Sequence, residues 1–271
     1  MGKFDGKVAL VTGAGRMRGI GRAAAIAFAR EGAQVTVIGT GRDPRSFPPD
    51  EQAAGWNDIE SVAAEIRDLG CGALPLVADV SRADQVQAVV DHTVAEFGRI
   101  DFLVNNASAP RMAAWAPLEE LSEEAWRKVM DVKVTGAFLC SRAVVQVMTR
   151  QGQGGSIVNV VSVEAKIGRP TDLAYATASG ALATFTQRAG KALAPYGIRV
   201  NGVSPGTSDT SRNDALYGYP RSREWHARVE SIPLGRAGQP EEIGNFIAWL
   251  CSEEAAFIVG QCIDMDGGQA A

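Results

Sequence analysis

The segment TGAGRMRGIGRA places Gly13, Gly15, Gly19, Ile20 and Gly21 directly behind an apolar run, KVALVT, and ahead of a helix-forming run, AAAIAFAREG. Glycines there allow a tight turn and a close approach of backbone to a phosphate, whose charge a helix N-terminus favours. A glycine string alone is weak evidence, but between a buried strand and a helix it predicts a nucleotide cradle. A second stretch, YATAS, sets Tyr175 four residues before Ser179, so the two share one face of a predicted helix. Ser179 is neutral and adds no charge to that face.

Other chemistries have few residues to work with. The chain has 2 histidines, His92 and His226, so neither a zinc site nor a serine–histidine triad is expected. Its 4 cysteines, Cys71, Cys140, Cys251 and Cys262, form no CxxC pair and read as buried free thiols of a reduced compartment. No metal is expected. A net charge of −4 without a basic block argues against nucleic acid and anionic membranes as partners. No apolar run is long enough to span a bilayer. The start, MGKFDGKVALVTG, passes from a short polar segment into a strand without a signal peptide, so a cytoplasmic protein is expected.

The elements around these residues alternate. Strands are predicted at Lys7 to Thr12, Gln34 to Gly39, Ala73 to Ala78, Asp101 to Asn106, Ser156 to Ser162, Ile198 to Ser204 and Gln261 to Asp266. Their near-continuous apolar character suits parallel strands covered on both faces. Helical periodicity fills the gaps, with Gly70 and Gly98 as stops and Ser81 as an N-cap. The 271 residues therefore predict one α/β domain, a doubly wound parallel sheet of Rossmann type, over residues 1–271. Two stretches break the rhythm. Gly39 to Trp56, with three prolines, reads as a long surface loop. Thr207 to Trp225, polar with interspersed aromatics, reads as a substrate lid beyond the strand ends.

In this order and at these intervals, the glycine loop, NNAS (Asn105 to Ser108), Ser162, Tyr175, SPG (Ser204 to Gly206) and DGG (Asp266 to Gly268) resemble the short-chain dehydrogenase/reductase family over essentially the whole chain. The resemblance implies a nicotinamide dinucleotide, a small carbonyl or alcohol substrate, and a homo-oligomer, commonly a tetramer. It implies that Ser162 holds the substrate oxygen and that Tyr175 is general acid or base. It further implies that Asp79 and Val80 flank the adenine and that Asn105 and Ala107 meet the adjoining ribose. Pro205, Gly206, Thr207 and Thr210 are expected at the nicotinamide end. Ser179 could bond a ribose hydroxyl.

The chain departs from the family at three points. The phosphate loop is two residues longer than usual. The acid that ends the second strand in NAD-binding relatives is Gly39 here, with Thr40, Arg42, Arg16 and Arg18 nearby, which favours NADP(H), with NAD(H) possible. The lysine expected four residues after the tyrosine is Ser179, while Lys133 stands where the family usually has asparagine. Lowering a tyrosine from about 10 towards neutrality needs roughly 3–4 kcal/mol of preferential phenolate stabilisation. Lys133, in an otherwise apolar segment, is the expected source, with Lys166 as the rival cation and Glu164 as a further ionisable neighbour. Met112, Trp115, Tyr217, Tyr219 and Trp225 suggest a partly aromatic pocket. The competing expectations are a non-redox lyase, dehalogenase or isomerase on this fold, and an inactive nucleotide sensor.

Overall fold

Apolar β-branched runs with helices packed on both faces form seven parallel strands: β1 (Val8–Thr12), β2 (Gln34–Gly39), β3 (Ala73–Val77), β4 (Phe102–Asn105), β5 (Gly155–Val160), β6 (Ile198–Pro205) and β7 (Cys262–Met265). The computed structural model describes residues 2–110, 114–219 and 221–271. The strands form one sheet in the order β3-β2-β1-β4-β5-β6-β7. β1 is therefore the turning point, with Val11 paired to Val37 of β2 on one side and to Val104 of β4 on the other. Loops leaving β1 and β4 diverge and open a crevice beyond the carboxyl ends of the strands, where ligands bind in such sheets.

The helices are α1 (Ile20–Arg30), α2 (Pro49–Ala53), α3 (Asp58–Asp68), α4 (Ala83–Phe97), α5 (Glu123–Met130), α6 (Gly136–Gln151), α7 (Glu164–Ile167), α8 (Leu173–Leu193), α9 (Asp214–Tyr217), α10 (Arg223–Glu230) and α11 (Pro240–Cys251). Phe28, Ile59, Ile66 and Ile247 of α1, α3 and α11 cover one face of the sheet. Val86, Val90, Val144 and Met148 of α4 and α6 cover the other. Between α5 and α6 the helix widens into a π-helical turn, Asp131–Thr135, a local distortion often found at functional sites. Lys133 lies in that turn.

Two expectations need correction. Ser81 does not cap α4: its hydroxyl donates to Asp79, and the extended residue before the helix is Arg82. Residues 39–56 lie largely at the surface, as expected, but are not irregular throughout. They form a 3-10 turn, Pro44–Ser46, and α2, and they bury Phe47 and Glu51. Charged contacts rather than apolar periodicity hold this segment, so no repeat in the sequence announces it.

Candidate active site

A cavity of about 420 Å³ lies in the crevice, walled by the loops that follow β1, β2, β4, β5 and β6. At one end is the glycine loop. Gly13 has φ +66°, and a Cβ there would sit 2.8 Å from the Cα of Ala107, so the turn accepts only glycine. Asn106 fastens the loop by donating from Nδ2 to the carbonyls of Thr12 and Gly13. The first turn of α1 has neither a capping side chain nor an acidic residue. Its backbone N–H groups are thus left for an anion, and a dinucleotide pyrophosphate fits them. Arg16 lines the cavity and makes no ion pair among the described residues. Burial, and then the charge of Arg42, hold its guanidinium below its ordinary pKa. The charge of a bound anion would offset both.

Of the expected cofactor residues, Gly13, Gly15, Arg16, Gly19, Ile20, Thr40, Arg42, Asp79, Val80, Ala107, Pro205, Gly206, Thr207 and Thr210 lie on the cavity wall. Four expected cofactor residues do not. Gly21 packs inward, where a Cβ would meet Asn106 Nδ2 at 2.5 Å. Asn105 is buried in the sheet, donating to Ser141 and Asn159, and Asn106 takes its place on the wall. Ser179 is sealed in the interior with its hydroxyl unbonded among the described residues. Arg18 is turned away and held by three carboxylates, at 2.7 Å from Asp50, 3.3 Å from Asp209 and 2.7 Å from Asp214.

Arg42 stays on the wall but is already engaged. It pairs with Glu51 at 3.0 Å and Asp58 at 2.9 Å, and it donates to the Gly15 carbonyl at 2.9 Å. Asp58 was not expected here. It has φ +49°, an unfavourable conformation for a side-chain-bearing residue, and its carboxylate rests between Gly15 and Gly39. A Cβ on Gly39 would lie 3.2 Å from Asp58 Oδ2. An acid borne by another element thus stands beside the place where Gly39 offers none.

Glu51 fastens the longer phosphate loop. It is wholly buried, accepts from the Met17 N–H at 2.9 Å, pairs with Arg42 and accepts from the Ser211 hydroxyl at 3.3 Å. Trp56 adds a bond from its indole N–H to the Gly15 carbonyl at 2.7 Å. Replacing Glu51 with alanine leaves the Met17 N–H without its acceptor and takes from Arg42 one of its two carboxylates, and we expect about 2 kcal/mol of destabilisation in denaturant titration. A loss within 0.5 kcal/mol would show that the clasp is not a stabilising unit.

At the other end of the cavity, Ser162, Tyr175 and Lys133 share the wall. Ser162 follows β5, and Tyr175 sits in the first turn of α8. The Lys133 ammonium is buried, donates to the carbonyls of Val160 at 3.0 Å and Val161 at 3.1 Å, and lies 4.8 Å from the centroid of the Tyr175 ring. Lys166, the rival cation, instead pairs with Asp264 and is absent from the wall. Glu164 does line the cavity, 3.7 Å from Arg228.

The pocket is less aromatic than expected. Tyr217 is on the wall, but Trp225 is buried behind it at 5.3 Å between ring centroids, and Tyr219 lies under Arg18. Trp115 stacks with Arg169 away from the wall, and Met112 lies outside the described residues. What the sequence reading missed is cationic: Arg169, Arg212 and Arg228 line this end. Arg169 lies in the link between α7 and α8, Arg212 in a 3-10 turn and Arg228 in α10, so no local spacing links them.

Among the described residues no cluster of three or more His, Cys, Asp or Glu side chains could hold a metal, and no helix is long and apolar enough to cross a membrane. Cys140 and Cys251 are buried thiols pushed up to about 12, as expected for structural rather than reactive cysteines.

Residues 13–270 match the family described as enoyl-(acyl carrier protein) reductase. The chain is 38% identical over 268 residues to cis-4-hydroxycyclohexanecarboxylate dehydrogenase of Sinomonas cyclohexanicum, covering 99% of this chain and 98% of that one. It is 36% identical over 266 residues to 3-oxoacyl-(acyl-carrier-protein) reductase of Thermotoga maritima, covering 98% of each. The crystal structure of NAD+-bound xylitol dehydrogenase superposes with a TM-score of 0.85 at 32% identity, over 98% of this chain and 100% of that one. With this family match, these identities over nearly the whole chain and the shared fold, the chain belongs to the short-chain dehydrogenase/reductase family and is an oxidoreductase.

Proposed function

We propose that the protein interconverts a carbonyl and an alcohol, with Tyr175 as proton donor and acceptor, Ser162 holding the substrate oxygen and Lys133 in the role of the absent motif lysine. The observation that carries this reading is the buried Lys133 ammonium 4.8 Å from the Tyr175 ring, at the far end of a cavity that begins at the phosphate loop. A nicotinamide bound there would supply or accept the hydride. In reduction, the Tyr175 hydroxyl gives its proton to the oxygen that becomes the alcohol. In oxidation, its phenolate takes that proton back. Ser162 fixes the oxygen by hydrogen bonding, and its own hydroxyl accepts from the Glu164 N–H at 3.2 Å, which orients it. Tyr175→Phe should abolish turnover while leaving dinucleotide binding by fluorescence unchanged. Full activity of that variant would refute the proton-transfer role given to Tyr175.

The expected preference for NADP(H) rested on Arg16, Arg18 and Arg42 facing no acid. Arg18 is committed to Asp50, Asp209 and Asp214, and Arg42 to Glu51 and Asp58. Asp58 is well placed to accept from ribose hydroxyls and to repel a 2′-phosphate. These contacts favour NAD(H), so we revise the reading accordingly. Residues 207–225 remain the proposed substrate lid, and hydrogen exchange there should slow when dinucleotide and substrate are both bound. Unchanged exchange would count against it. A homotetramer is proposed in addition. In its support, Phe138 of α6 is 43% exposed and meets Phe185 of α8 edge-on at 6.5 Å, an apolar patch suited to a symmetric contact.

A further inference from the structure

We infer that Arg212 is a second cation acting on the Tyr175 hydroxyl, a positioning residue that shares with Lys133 the work of the absent motif lysine. The inference rests on the proposed proton-transfer role of Tyr175. Arg212 sits in a 3-10 turn, Ser211–Asn213, beyond β6, far in sequence from both Lys133 and α8. Its guanidinium carbon lies 4.6 Å from the centroid of the Tyr175 ring, against 4.8 Å for the Lys133 ammonium. Two elements with no local connection thus deliver positive charge to one phenol.

Arg212 is not neutralised. It forms no ion pair among the described residues; its Nη2 donates to the Ala109 carbonyl at 3.2 Å, and its Nε is buried without a partner. A cation without a counter-ion, partly withdrawn from water with its Nε buried, keeps much of its field for its neighbours. That field acts weakly on a neutral phenol and strongly on a phenolate, so it selects the ionised form. The other charges around this end of the cavity are Glu164 and Arg228, which face each other, Arg169, which donates to the Tyr217 hydroxyl, and Lys128 at the outer wall. Asp172 is buried at the N-terminus of α8, and Lys166 is paired with Asp264.

The turn that presents Arg212 is anchored to the lengthened phosphate loop. Ser211 donates its N–H to the Arg18 carbonyl at 2.9 Å and its hydroxyl to Glu51, and Asp214, three residues on, pairs with Arg18. The extra loop residues therefore do work at a distance from the phosphates. They fix the element whose arginine meets the tyrosine.

The test needs no substrate. The full chain is titrated by ultraviolet difference absorbance, and the Tyr175→Phe trace is subtracted to isolate the Tyr175 phenolate. Arg212→Gln should raise the pH at which Tyr175 ionises by about one unit, as expected for loss of one nearby charge. Arg212→Lys should recover part of the shift. Arg212→Met, which keeps the apolar stem, should reproduce the glutamine result and serves if that variant folds poorly. If Lys133→Met raises the ionisation but neither Arg212→Gln nor Arg212→Met does, the inference is overturned while the role of Lys133 stands; Arg212 is then better read as a receiver for an anionic substrate group. If Tyr175 ionises at the ordinary tyrosine value in the unaltered protein, this inference and the proposed activation by Lys133 both fall.

Discussion

Lys133→Met should lower turnover by about two to three orders of magnitude, the range that one general acid–base contribution commands. Methionine keeps the buried volume of the stem but removes the charge beside the ring, and it leaves the Val160 and Val161 carbonyls without their donor. The sign of the accompanying pH effect follows from charge. A nearby cation stabilises phenolate, so its loss moves the ionisation of Tyr175 upward. In the oxidative direction, where phenolate is the base, activity should then rise at higher pH than in the parent. In the reductive direction, where phenol is the acid, activity should persist to higher pH. Ser179→Lys in the Lys133→Ala background should restore part of the rate by returning the charge to the family's usual site. An undiminished Lys133→Met enzyme would refute the role assigned to that lysine.

The second large effect concerns the dinucleotide. Isothermal titration should find NADH bound at least about tenfold more tightly than NADPH, a difference of roughly 1.4 kcal/mol. Asp58→Ser should narrow or invert that ratio, because it removes the acid and frees Arg42 from one of its two carboxylates. Arg42 can then meet a 2′-phosphate in bidentate fashion. Equal loss of both dinucleotides in Asp58→Ser would assign the aspartate to loop structure alone, and tighter NADPH in the parent would reinstate the preference read from the sequence.

The sheet was legible because its strands are continuous apolar runs; β2 spans the predicted Gln34–Gly39, and the other strands differ by a residue or two at their ends. Tyr175, Ser162 and Lys133 were legible for another reason, since their spacing could be compared with a known family. Asp58 was hidden. It reads as the first residue of a helix, and only its left-handed backbone and its seat between two glycines reveal a carboxylate aimed at the dinucleotide end. Arg212 and Glu51 were hidden by a different cause. Ion pairs and cation–ring contacts join residues far apart in the chain without periodicity, so a polar proline-rich stretch and a fully folded one look alike.

The clasp of Glu51 and Trp56 on the phosphate loop bears on how this chain can be altered or inherited. Excising the two extra loop residues alone would take a loop donor from Glu51, which Arg42 and Ser211 still hold. Excising residues 44–56 alone would remove the Glu51 and Trp56 bonds and leave the enlarged loop held from Arg42 and the Ser211 turn. The two deletions should therefore couple, costing less together than the sum of each made singly, which makes the pair a single heritable cassette. Chimeras grafted from this protein onto shorter-looped relatives should succeed only when both pieces travel together.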